Sequence, residues 1–290
     1  YIDHVVSVTD ARFDGLKIAL DCANGSASVC AKEIFTRLGA KCIMLSDTPD
    51  GTNINLNCGS THPEELMSFV KDAGLDLGLA FDGDADRMLA VDENGELVDG
   101  DKVIAICAKK MKQDGTLKKN TAVVTVMSNM GFFKFCEENG INCAKTAVGD
   151  RYVLEKMLRD GYNIGGEQSG HVIFLDYATT GDGELSGVKL VETVVDSKKK
   201  LSELASVMTV YPQVLINVKV SPEGKQKYNN DEYIIAATQK AEMELMGDGR
   251  VLVRVSGTEP LVRVMLEGKD INHIKRLGEE IAEVVKERLS

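Results

Sequence analysis

Asp82, Asp84 and Asp86 alternate with Gly83 and Ala85 in the stretch F-D-G-D-A-D-R, and Arg87 closes it. Carboxylates this close repel one another unless a cation or a proton compensates them. Gly83 and Ala85 leave the backbone free to curl, so three oxygens can converge on one ion. Ligation by carboxylates alone suits a hard cation such as Mg²⁺ or Ca²⁺. The same residues allow other readings. One is a solvated acidic turn, since Asp and Gly are ordinary turn residues. An EF-hand would take Asp82, Asp84 and Asp86 as its first ligands and Glu93 as its last, but Arg87 stands where that loop requires glycine. A third reading is a phosphotransferase in which a strand ends in D-x-D and Asp82 attacks phosphate. The triplet alone leaves that open.

Two further stretches carry polar chemistry. Gly165-Gly166-Glu167-Gln168-Ser169-Gly170-His171 offers an acid, an amide, a hydroxyl and an imidazole on one turn, the donors and acceptors that bind sugar hydroxyls. The alternative is a hairpin loop whose polar tips face water. Arg254-Val255-Ser256-Gly257-Thr258-Glu259-Pro260-Leu261-Val262-Arg263 places two arginines around a Ser-Gly-Thr turn. Guanidinium forks pair bidentately with phosphate, and hydroxyls and turn amides add donors; a tight hairpin with exposed arginines is the other reading. The turn Asp21-Cys22-Ala23-Asn24-Gly25-Ser26 feeds a helix and is a weaker candidate for an anion.

These stretches need elements to hold them. Leu75–Phe81 reads as a buried strand that ends at the first acid, and Met88–Val91 as the next strand, so the acids sit on a loop at a strand end. Residues 16–45 read as strand, Asn-containing turn, helix, Gly39 and strand, a βαβ unit. Residues 121–148 repeat that order loosely. After Tyr211-Pro212 the pattern changes to three strands and two helices, with Ile274, Leu277, Ile281 and Val285 on one face of the last helix. The expected fold is α/β: two tandem mixed α/β domains of βαβ type, residues 1–114 and 115–211, then a smaller α+β domain, residues 212–290, hinged near Tyr211–Val214.

Composition narrows the partners. The net charge of -11 argues against nucleic acid and against an anionic membrane. An anionic substrate must then be held by local Arg and Lys. Seven cysteines without a C-x-x-C pair read as reduced thiols of a cytoplasmic protein. No apolar run reaches membrane-spanning length.

Taken together, F-D-G-D-A-D-R, G-G-E-Q-S-G-H and R-V-S-G-T-E-P-L-V-R, in this order and spacing, resemble the α-D-phosphohexomutases over essentially the whole chain. Asn53–Asn55, Cys58–Glu64, Val148–Val153, Thr179–Gly183 and Gln168 are similar to the bacterial phosphoglucosamine mutases within that family. The phosphomannomutase and phosphoglucomutase branches are the alternative. The resemblance implies four domains, of which this chain matches the second, third and fourth. The first, an N-terminal domain of the same polypeptide, would carry the serine that passes on the phosphoryl group; Ser26, Ser60 and Ser128 lie in turns that do not resemble that serine's loop. The chain alone is therefore expected to be inactive.

The implied activity is that of an isomerase working by intramolecular phosphotransfer. It interconverts glucosamine 6-phosphate and glucosamine 1-phosphate, with a 1,6-bisphosphate of glucosamine or glucose as intermediate or primer. By the same resemblance Asp82, Asp84 and Asp86 hold one Mg²⁺ per active site, and Arg87 lies beside the transferring phosphoryl group. Glu167, Ser169 and His171 read the sugar, and Arg254, Ser256, Gly257, Thr258 and Arg263 hold the phosphate that is not reacting. Asp150 and Arg151 are further contacts. Two other classes remain: a phosphatase with Asp82 as nucleophile, and a non-catalytic module that binds Ca²⁺ or a sugar phosphate.

Overall fold

The structure, a computed structural model, describes residues 1–256 and 259–290, with Asn229 described by its backbone alone. It divides into two compact units, Tyr1–Ser128 with Phe132–Thr209, and Val210–Ser290 with Asn129–Gly131.

The first unit opens with a short helix α1 (Ile2–Val6), strand β1 (Lys17–Asp21), helix α2 (Ala27–Arg37) and strand β2 (Lys41–Leu45). Gly39 ends the α2 turn at φ 107, a backbone conformation that costs glycine little. Helix α3 (Glu64–Asp72) follows, with Glu64 and Glu65 in its first turn, where the helix dipole favours negative charge. Next come β3 (Leu77–Phe81), β4 (Met88–Asp92) and β5 (Leu97–Val98). The sheet order is β2-β1-β3-β4-β5. β1 runs parallel to β2 and to β3, while β4 and β5 are antiparallel additions. β3 is buried along its length, as an apolar run covered on both faces should be.

Helix α4 (Gly100–Gln113) starts at Asp99, whose side chain accepts the Lys102 N–H. Then β6 (Thr121–Thr125), α5 (Met130–Glu138), β7 (Asn142–Thr146), α6 (Asp150–Asp160), β8 (Ile164–Gly166) and β9 (Val172–Phe174) build a sheet of order β7-β6-β8-β9. β6 is parallel to β7 and β8, so β6-α5-β7 repeats the β1-α2-β2 unit as the sequence pattern implied. Helices α7 (Gly183–Ser197) and α8 (Leu201–Ala205) end the unit. One apolar cluster runs through both sheets and includes Phe13, Phe35, Leu79, Phe81, Ile104, Phe132, Val188 and Val191. The two expected α/β domains thus share a core. Their sheets lie on either side of the Gln113–Gly115 turn, where Gly115 takes φ 73.

The second unit contains β10 (Gln213–Lys219), α9 (Pro222–Lys227), α10 (Glu232–Leu245), β11 (Gly249–Val255), β12 (Leu261–Gly268) and α11 (Ile271–Leu289). Its antiparallel sheet has the order β10-β12-β11. Ile274, Leu277, Ile281 and Val285 of α11 are all buried, the face that periodicity marked. Asp231 and Asp270 cap α10 and α11 through backbone N–H groups. Glu267 on β12 is fully buried, and accepts from the Arg250 Nε–H at 2.5 Å and the Met130 N–H at 2.9 Å. No helix among the described residues is long and apolar enough to cross a membrane.

Candidate active site

The acidic loop joins β3 to β4, whose antiparallel pairing brings Phe81 opposite Met88. Ala85 sits at φ 59, so the loop doubles back, and its N–H donates to the Asp82 carbonyl at 3.1 Å. The Arg87 N–H donates to Asp82 Oδ1, also at 3.1 Å. One carboxylate oxygen from each of Asp82, Asp84 and Asp86 lies within 4.8 Å of the other two. Asp82 is buried, Asp86 partly buried and Asp84 exposed. Burial pushes the Asp82 carboxyl up to about 6, and the charges of Asp86 and Asp84 add to the shift. Arg87 Nε leans over the pair at 3.7 Å from Asp82 and 3.8 Å from Asp86, beyond hydrogen-bond range. Asp86 Oδ1 is buried without a hydrogen-bond partner. A buried orphan oxygen, a protonation-prone neighbour and a third acid within reach fit a hard divalent cation.

The loop is clamped from two sides. On one, the Ser26 N–H donates to the Gly83 carbonyl at 2.9 Å. A Cβ on Gly25 would lie 2.2 Å from that carbonyl oxygen, so only glycine permits the approach. The turn read as a possible anion site is therefore a buttress of the acidic loop. Asp21, buried beneath it, accepts the N–H groups of Ala23 and Gly59.

On the other side lies the G-G-E-Q-S-G-H turn between β8 and β9. The Met88 N–H donates to the Gly170 carbonyl and the Gly100 N–H to the Gln168 carbonyl, at 3.1 and 3.0 Å. The Gln168 amide donates to Asp99 at 3.1 Å. The Gly183 N–H donates to the Ala85 carbonyl at 2.8 Å. The sequence separates these two motifs by 77 residues, 88–164, and the fold joins them by main-chain bonds.

Each sequence-predicted sugar residue has a distinct setting. Ser169 is exposed. Glu167 is partly buried and accepts the Gly149 N–H at 3.1 Å, which fixes the start of α6. His171 is only 4% exposed and lies under the acidic loop. Its Nε2 is 3.1 Å from the Gly181 N–H, which can only donate, so Nε2 accepts. The ring proton is then on Nδ1, which donates to Asp86 Oδ2 at 3.0 Å. A Cβ on Gly181 would stand 2.5 Å from the ring, so Gly181 and Gly183 of T-T-G-D-G are the site residues that motif reading left without a role. Asp150 Oδ2 is 4.0 Å from His171 Nε2. Arg151 is exposed and paired with Glu155 at 2.7 Å.

In the second unit Arg254 and Arg263 are direct cross-strand partners on β11 and β12. Like charges opposite one another are unfavourable without an anion. Burial, and then the Arg263 charge, lowers the Arg254 pKa. Arg263 donates to Glu259 at 2.9 Å, while its Nε is buried without a partner. Ser256 is 2% exposed, and its Oγ accepts the Glu259 N–H at 3.2 Å. Gly257 and Thr258 lie outside the described residues.

Comparison with known proteins gives three adjoining matches. Residues 1–95 match phosphoglucomutase/phosphomannomutase alpha/beta/alpha domain II, residues 99–211 alpha/beta/alpha domain III, and residues 215–284 the C-terminal domain. The phosphoglucosamine mutase of Brevibacillus brevis is 56% identical over 289 residues, and that of Clostridioides difficile 52% identical over 290. The alignments cover 100% of this chain and 64% and 65% of those proteins, so the chain spans just under two thirds of their length. Among solved structures, a phosphoglucomutase/phosphomannomutase family protein from Burkholderia thailandensis superposes with TM-score 0.82 at 23% identity, over 100% of this chain and 65% of that one. The Aspergillus fumigatus N-acetylphosphoglucosamine mutase, solved with GlcNAc-6P and magnesium, gives 0.77 at 20% identity, over 100% and 64%. At these identities the structures show the fold.

Proposed function

Because the chain belongs to the phosphoglucomutase/phosphomannomutase family, we propose that it supplies the metal-binding, sugar-binding and phosphate-binding parts of a phosphoglucosamine mutase. The substrates would be glucosamine 6-phosphate and glucosamine 1-phosphate, exchanged through a 1,6-bisphosphate in the cytoplasm. The observation that carries the reading is the convergence of Asp82, Asp84 and Asp86 with a buried, unpartnered Asp86 oxygen, stitched by main-chain bonds to the G-G-E-Q-S-G-H turn.

Phosphoryl transfer asks a protein for positioning and charge stabilisation more than for covalent chemistry. A divalent cation, Mg²⁺ for preference, would be held by the three aspartates, one ion to the site, and would neutralise charge on the transferring group. His171 keeps the Asp86 carboxylate turned into the loop by donating from Nδ1. Arg87, with its side chain 45% exposed, is free to swing from the carboxylates to a phosphoryl oxygen. Ser169, and Glu167 at its free oxygen, would meet sugar hydroxyls, with Asp150 and Arg151 at the margin. In the second unit Arg254 and Arg263 would bind the phosphate that is not reacting, helped by Ser256 and by Gly257 and Thr258 of the same sequence motif. The phosphoryl carrier would be a phosphoserine outside these 290 residues, in the same polypeptide.

The test is ³¹P NMR of glucosamine 6-phosphate with Mg²⁺ and a trace of glucose 1,6-bisphosphate. Glucosamine 1-phosphate should form with the polypeptide extended through a serine-bearing segment, and Asp84→Asn should abolish it. Release of inorganic phosphate with label trapped on Asp82 would replace this reading by a phosphatase.

A further inference from the structure

The connection between β2 and α3 carries two stretches that the site above leaves without a task, Asn53-Ile54-Asn55 and Cys58-Gly59-Ser60-Thr61-His62-Pro63-Glu64. It lies against the acidic loop at two points. A Cβ on Gly59 would stand 2.3 Å from the carbonyl oxygen of Phe81, the residue before Asp82. A Cβ on Gly83 would stand 2.6 Å from Ile54 Cδ1 and 2.8 Å from Asn55 Nδ2. The Gly83 carbonyl is already held by the Ser26 N–H, so the connection covers the α-carbon of the same residue.

The other asparagines around this connection are spent on holding it. Asn53 accepts the Asp50 N–H through Oδ1 and donates to the Thr48 carbonyl, both at 3.0 Å. Asn24 accepts the Thr48 N–H at 3.2 Å, and its own N–H donates to the Ser46 carbonyl at 2.6 Å. The backbone of Asn55 is fixed as well: its N–H donates to the Ala23 carbonyl at 2.9 Å, and it sits at φ 57, which asparagine tolerates better than most residues. Its side chain is exposed and makes no hydrogen bond among the described residues.

A neutral donor suits this place. A lysine or an arginine beside three carboxylates is drawn onto them, as Arg87 is. An amide N–H has no charge for them to neutralise, and it stays available to an anion that a cation brings to the loop. Glycine would take φ 57 at lower cost but would carry no donor.

Resting on the metal-site reading above, we propose that Asn55 is a further contact of the transferring phosphoryl group, its Nδ2 donating to one of the phosphoryl oxygens. The Asn53–Asn55 stretch is then a wall of the reaction site, and the Gly59 approach to Phe81 holds that wall at the strand end from which the aspartates project.

The probe is inorganic phosphate with Mn²⁺. Bound Mn²⁺ relaxes the ³¹P signal only of phosphate close to the ion, so phosphate bound elsewhere is silent. Asn55→Gly accepts the backbone conformation and removes only the amide. Mn²⁺ affinity without phosphate, and circular dichroism, should be unchanged in this variant, while the phosphate concentration for half-maximal relaxation should rise about tenfold. Asn55→Asp, which replaces the donor by a fourth carboxylate, should weaken phosphate at least as much. Mn²⁺ that fails to bind the wild type would strike the metal-site reading and this contact with it. Mn²⁺ that binds the wild type but leaves phosphate unrelaxed, equal phosphate affinity in wild type and Asn55→Gly, or a Mn²⁺ affinity that falls in Asn55→Gly without phosphate would each overturn the role of Asn55 and leave the metal site standing.

Discussion

Replacing Asp82 by asparagine should stabilise the protein in the presence of a chelator and abolish its stabilisation by divalent cations. The Asp82 carboxyl is raised from 3.8 to about 6, first by burial and then by Asp86 and Asp84. A folded-state pKa above the unfolded value means that the folded protein binds the proton more tightly. That contribution to stability is fully present below the ordinary carboxylate value and is lost as pH rises through about 6. A shift of about two units at about 1.4 kcal/mol per unit sets the penalty near 3 kcal/mol at neutral pH. The open side of the loop towards Asp84 screens part of it, leaving about 1–3 kcal/mol. Asparagine keeps the side-chain oxygen that accepts the Arg87 N–H, so the turn survives. The assay is urea unfolding in EDTA over a pH series, following the transition that Mn²⁺ shifts in the wild type, since two units can unfold separately. The stability gap between variant and wild type should widen from acid to neutral pH and reverse when Mn²⁺ is added. A variant less stable than wild type at neutral pH in EDTA, or a gap that does not change with pH, would refute the argument.

Gly25→Ala should lower divalent-cation affinity at least about tenfold with circular dichroism unchanged, because its Cβ would strike the Gly83 carbonyl oxygen at 2.2 Å; Mn²⁺ titration is the check. Arg263→Ala should weaken binding of glucosamine 6-phosphate about tenfold or more by calorimetry and leave unphosphorylated glucosamine unaffected. Equal loss for both ligands would indicate a folding defect. Glu267→Ala should cost about 3–5 kcal/mol in denaturant unfolding of the second unit, since it removes the buried acceptor of the Arg250 and Met130 N–H groups. A loss under about 1 kcal/mol would contradict that account.

The parts of the site legible in the sequence were those announced by local crowding. Three aspartates within five residues demand compensation, and the apolar run before them could only be a strand, so the loop and its place at a strand end follow from residues 75–91. The last helix was equally plain, since four apolar residues at helical spacing need a surface to cover. What the sequence hid were contacts made over distance by small groups. Gly25, Gly181 and Gly183 look like ordinary turn glycines until the atoms that crowd them are seen. His171 read as a polar tip of a sugar turn, but its partners Asp86 and Gly181 lie on other segments. β8 escaped notice because two of its three residues are glycine, which carries no strand pattern, and α1 and α8 are too short for a periodicity to show.

The hydrogen bonds Met88 to Gly170, Gly100 to Gln168 and Gly183 to Ala85 are all main-chain to main-chain. A joint made of backbone has no side chain to lose. Most substitutions along either motif can change what the site holds without changing where its halves stand. The vulnerable positions are instead the glycines through which the strands of the joint pass, where a single added methyl group would part it: a Cβ on Gly100 would lie 2.2 Å from the Glu167 carbonyl, and one on Gly170 2.5 Å from that of Met88. For anyone retuning the specificity of this scaffold, the polar side chains are the variables and these glycines are the fixed frame.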